Sequence, residues 1–111
     1  MRVQMIQTHA SIGAFPTFRR GTRVSIGPTP ETAYAHWLAC EIDDRATYAP
    51  EHFVHDGALT RDYNPTELTQ DKGDTLTVEE IVCGWLLVTN EAGVTGWIPA
   101  EAVISIDAPD T

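Results

Sequence analysis

The chain has 111 residues, 42% of them apolar and 21% charged, the size and balance of one ordinary globular domain or two very small ones. Seven Lys and Arg against sixteen Asp and Glu give a formal charge of −9, which argues against a nucleic-acid backbone or an anionic membrane surface as the main partner. That charge favours a basic peptide, a basic protein or a small ligand.

In chain order, the first nine residues are broken by polar side chains too often for the apolar segment of a signal peptide. Residues 22–26 alternate as a strand, and residues 29–35 offer the one helical candidate, a short turn with Pro30 in its first position. Residues 37–42 form a second strand, followed by a turn at Asp43-Asp44. His55-Asp56-Gly57 marks a break. Further strands are expected at 75–78, 85–89 and 95–98, separated by turns at Lys72-Gly73-Asp74 and Asn90-Glu91-Ala92-Gly93. No run approaches the roughly 20 apolar residues that span a bilayer. The two cysteines make no disulfide framework and fit a reducing, cytoplasmic setting. The fold class is all-β.

Self-comparison gives more. Gly73, Trp85 and Pro99 punctuate the second half, and Gly21, Trp37 and Pro50 punctuate the first in the same order. The Gly-to-Trp spacings are 16 and 12, and the Trp-to-Pro spacings 13 and 14. This is a tandem repeat of about 55 residues, with domains expected at 1–56 and 57–111, packed against each other across a join too short to be a flexible linker. The charge divides unevenly between them. Residues 1–56 carry five arginines and six acids, a net of −1, whereas residues 57–111 carry two cations and ten acids, a net of −8.

Alternation after each Trp selects the core. Leu86 and Val88 face inward and leave Trp85 outside; likewise Leu38 and Cys40 face inward and leave Trp37 outside. The remaining core candidates are Val24, Ile26, Val54, Leu68, Leu76, Val78, Ile98 and Val103.

Leu59-Thr60-Arg61-Asp62-Tyr63, Glu67-Leu68, Lys72-Gly73-Asp74, Gly84-Trp85, Gly96-Trp97-Ile98-Pro99 and Val103 follow one another in an order that resembles an SH3 domain. The first half resembles the same family from Phe18-Arg19-Arg20-Gly21 through Tyr48-Ala49-Pro50 and Val54. The whole chain is similar to bacterial-type tandem SH3 proteins. The resemblance implies two small SH3-like β-barrels and a non-enzymatic protein- or peptide-interaction module. It implies a groove on the second barrel in which Tyr63, Trp85 and Pro99 hold an extended polyproline segment, with Glu67 and Asp71 receiving a ligand Arg or Lys. Arg61 and Ala102 stand where the family carries Tyr. A second groove would use Trp37, Pro50 and Phe53, unless the other unit or a second chain in a homodimer covers them.

No metal site, cofactor or catalytic residue is expected. The sequence has no Cys-x-x-Cys pair, no phosphate-binding glycine loop, and no histidine set beside a nucleophile. The expected partner is a protein or peptide, basic or Pro-containing, with no nucleic acid and no membrane. Two alternatives stay open: a structural or assembly protein, and an accessory subunit of a larger enzyme. In both the aromatic grooves are consumed by packing.

Overall fold

Ten strands follow the chain in a computed structural model that describes residues 1–11 and 13–106. They are β1 (Arg2–Met5), β2 (Val24–Glu31), β3 (Trp37–Ile42), β4 (Arg45–Pro50), β5 (Val54–His55) and β6 (Ala58–Leu59). Then come β7 (Thr75–Val82), β8 (Trp85–Thr89), β9 (Thr95–Pro99) and β10 (Val103–Ser105). Two single 3-10 turns, Glu51–Phe53 and Ala100–Ala102, each follow a proline. Among the described residues no α-helix forms, and no helix is long and apolar enough to cross a membrane. The chain is all-β.

Contacts divide the chain into two units. One combines Met1–Ala14 with Thr66–Thr111; the other is Phe15–Pro65. The boundary expected between residues 56 and 57 is not where the chain divides. Asp56 and Gly57 have φ of 51° and 72°, and they form a two-residue turn that joins β5 directly to β6. Both central residues of a type I′ hairpin need positive φ, and Asp-Gly is among the best pairs for it. The break signal at this point was a hairpin inside one unit.

The first unit contains a five-stranded antiparallel sheet in the order β10-β1-β7-β8-β9. The N-terminal strand lies inside it, between β10 and β7. Val3 pairs with Leu76 on one side and with Ser105 on the other. Val3, Met5, Leu68, Leu76, Leu86, Val88, Ile98 and Ala102 form the core, each 6% exposed or less. Val3, Met5 and Ala102 were absent from the sequence-based core. Leu86 and Val88 point inward as alternation predicts, and Trp85 is half-buried.

The second unit pairs β2-β3-β4 in one sheet and β5-β6 in another. Asp43 and Asp44, with φ of 53° and 63°, make the tight turn between β3 and β4. The helical turn expected at 29–35 is not formed. β2 runs extended through Pro28 and Pro30 to Glu31. A residue before proline is pushed toward extended backbone, and proline belongs on an edge strand, which β2 is. The pairing with β3 slips between Ile26 and Glu31, and Ile26, expected in the core, is 44% exposed.

The closed barrels expected from the sequence are not seen. Among the described residues no pairing closes either sheet. Beside β9, residues 66–68 run parallel instead: Leu68 N–H donates to Trp97 O at 3.0 Å, and Trp97 N–H donates to Thr66 O at 3.1 Å. Gly96 permits this approach. A Cβ there would lie 2.8 Å from Leu68 Cγ and 3.0 Å from the Thr66 carbonyl oxygen, which is backbone and cannot swing away. Gly96→Ala is therefore expected to destabilise the first unit by about 1–3 kcal/mol, read as a lower urea midpoint with an unchanged slope.

Candidate functional site

The turn Cys83-Gly84, with φ of 45° and 86°, brings the chain from β7 into β8 and sets Trp85 as the first residue of that strand. Trp85 lies opposite Pro99, which is buried on β9. The same arrangement recurs in the second unit, where Trp37 opens β3 opposite Pro50. In both units the proline leads into a 3-10 turn.

Beside Trp85 stands a residue that the sequence reading did not select. His9 makes an edge-to-face contact with the indole, ring centroids 6.0 Å apart and planes 80° apart. Its Nε2 lies 2.7 Å from Glu67 Oε1, with side-chain exposures of 21% and 14%. The backbone holds this triplet in place. His9 and Gln70 exchange two N–H···O bonds, both 2.9 Å, Ser11 N–H donates to Thr69 Oγ1, and Lys72 N–H donates to Thr8 Oγ1. Residues 8–11 are thus zipped to residues 69–72. The parallel pairing beside Trp97 fixes Glu67 from the other side.

Of the expected peptide-binding residues, Glu67, Asp71, Trp85 and Pro99 belong to this unit, and Tyr63 does not. Asp71 is exposed, and the turn to Asp74 occupies its backbone. Tyr63 lies in the second unit, 3% exposed, where its hydroxyl donates to Tyr48 O at 2.6 Å. It exchanges backbone bonds with Phe18 and packs edge-to-face on Phe53, centroids 5.4 Å apart. His9 takes the corresponding place beside Trp85. The signal that could have found it was a shared spacing: His9 follows Met5 by four residues, as Tyr63 follows Leu59.

The residues of the expected second groove are closed off. Trp37 is 7% exposed, Phe53 1%, and Pro50 is buried. The Arg61 guanidinium carbon sits 4.4 Å from the centre of the Phe53 ring, and His52 contacts that ring edge-on. Trp37, expected outside, is inside.

Neither cysteine is disulfide-bonded. Burial pushes the Cys40 thiol up to about 11, whereas Cys83 is exposed. Since the thiolate is the reactive form, a thiol reagent near neutral pH is expected to modify Cys83 rapidly in the folded protein and Cys40 only after denaturation. Equal labelling of both in the folded state would contradict the buried placement of Cys40. Among the described residues no group of three or more His, Cys, Asp or Glu is arranged to hold a metal ion.

Residues 58–106 match the family model of the variant SH3 domain, which supports an SH3 domain protein and a protein-interaction module. No curated protein and no solved structure matches the chain.

Proposed function

We propose that the chain is a non-enzymatic interaction module of two SH3-like units. The working groove lies on the first unit and is lined by His9, Glu67 and Trp85, with Asp71 and Pro99 alongside. The single observation that carries this reading is the contrast among the tryptophans. Trp85 is half-buried beside His9, whose imidazole meets the partly exposed Glu67 carboxylate, while Trp37 and Trp97 are buried.

The ligand proposed is an extended, Pro-containing segment with an Arg or Lys. An extended segment with preset backbone loses little entropy on docking, and an indole both stacks on a proline ring and donates its N–H to a ligand carbonyl. Glu67 Oε1 lies 2.7 Å from His9 Nε2 in a side chain that is 14% exposed, and a carboxylate has acceptor capacity to receive a guanidinium as well. The excess of acids in residues 57–111 would speed the encounter of a basic segment. A cytoplasmic setting accords with two unbridged thiols.

Calorimetric titration tests this with three peptides: basic and proline-containing, basic without proline, and acidic with proline. The first is expected to bind most tightly, with affinity that falls as salt is raised. Glu67→Gln is expected to flatten that salt dependence. Equal binding of all three peptides, or none, would remove the reading.

A further inference from the structure

The two segments that complete the two units make matching backbone bonds. In the first unit Met5 N–H donates to Asp74 O, and Met5 O accepts from Gly73 N–H, both at 2.8 Å. In the second, Leu59 N–H donates to Thr22 O at 2.9 Å, and Leu59 O accepts from Gly21 N–H at 2.8 Å. Four residues on, His9 exchanges paired bonds with Gln70, and Tyr63 exchanges paired bonds with Phe18. Both Met5 and Leu59 are buried, at 1% and 3% exposure. Each of the two receiving turns offers a glycine at positive φ, Gly73 at 97° and Gly21 at 89°.

A second, independent observation bears on the same point. The family match covers residues 58–106, so it joins residues 58–63, rather than residues 2–5, to β7 and β10, the strands that flank β1's place in the sheet. In the structure that place is filled by residues 2–5, and β6 pairs with β5.

We propose that the slot between β7 and β10 is a strand-binding site with two ligands in the same chain: residues 2–9, as observed here, and residues 58–63. The preference between them has a local cause. Two residues before Met5 stands Val3, 3% exposed, whereas two residues before Leu59 stands Gly57, which brings no side chain to bury. The observed pairing fills the slot better. When residues 58–63 occupy it, Tyr63 takes the place of His9 beside Trp85, and Glu67 loses its imidazole partner. On the groove reading above, the exchange would alter which ligands are selected; the exchange itself does not depend on that reading.

Disulfide trapping tests it in the full chain carrying Cys83→Ser. Gln4 and Ile104 are both exposed and lie directly opposite across β1 and β10, a separation that a disulfide spans. Ala58 holds the place before Leu59 that Gln4 holds before Met5. Gln4→Cys with Ile104→Cys reports the observed pairing, and Ala58→Cys with Ile104→Cys reports the second. After equilibration in a glutathione redox buffer, peptide mapping is expected to find an intrachain disulfide in both variants. The Ala58→Cys yield should rise several-fold when Val3→Gly is added. Failure of the Ala58→Cys pair to close, with and without Val3→Gly, while the Gln4→Cys pair closes fully would overturn the proposal. So would a Gln4→Cys disulfide found only between chains, which would assign the slot to a second copy. Because the readout is the disulfide, a groove that binds no peptide would leave this result intact.

Discussion

Trp85→Ala is expected to weaken binding of a basic, proline-containing peptide by about 30-fold or more while the unit stays folded. The figure follows from the behaviour of central aromatic anchors, whose truncation commonly costs about 2 kcal/mol or more, and about 1.4 kcal/mol is a factor of ten in Kd. Two features of the structure argue for an effect of that size. Trp85 stands at the start of β8 with neighbours Leu86 and Val88 turned inward, so its indole is not part of the packed core. It also shares its surroundings with His9 and Glu67, which gives one ligand an apolar face and a charge within a single contact. Circular dichroism and a denaturant melt would show whether the loss is one of binding. A variant that binds as the parent does would remove Trp85 from the groove.

Phe53→Ala is expected to have the opposite profile, with a large loss of stability and no direct effect on the groove. Phe53 is 1% exposed and touches Tyr63, His52 and the Arg61 guanidinium. Removing a buried phenylalanine costs about 3–5 kcal/mol, and a native domain has only about 5–15 kcal/mol in total. A unit as small as residues 15–65 has little margin beyond that, so it should melt well before the first unit. The sign is the informative part. If Phe53 belonged to a working groove, the substitution would leave the melt nearly unchanged and reduce binding.

These two expectations also show how far residue order carried the structure. The Gly, Trp and Pro landmarks were legible because each has a local cause. Gly21 and Gly73 sit in turns at positive φ, Trp37 and Trp85 begin strands opposite Pro50 and Pro99, and each proline leads into a 3-10 turn. Inward and outward faces of β8 followed from alternation alone. Where the chain turned to edges and pairing, local pattern fell short. Pro28 and Pro30 suggested a helix start, but an edge strand accepts proline because its outer N–H has no partner to lose. Asp56-Gly57 was visible as a turn, and its meaning as a hairpin depended on which strand residues 58–59 would join.

The largest gap has the same origin. Val3-Gln4-Met5 alternates as many strands do, and nothing in three residues says which sheet will receive them. That choice is made by contacts some 70 residues away, between Val3 and Leu76 and between Met5 and the Gly73 turn. Placing Tyr63 beside Trp85 assumed that neighbours in sequence complete one unit. The N-terminal strand completes it instead and brings His9 with it. Burial of Trp37 was likewise unreadable from alternation, which gives the face of a strand and not what covers that face.

The central claim is that His9, Glu67 and Trp85 act as one peptide-binding surface. A nitrogen-15 NMR titration of the full chain with the basic, proline-containing peptide tests it most directly, with the Trp85 indole N–H and the His9 ring assigned. Saturable shifts are expected at both, with the Trp37 and Trp97 indoles unmoved. Shifts confined to Trp37 or Tyr63, or none at Trp85 at millimolar peptide, would contradict it.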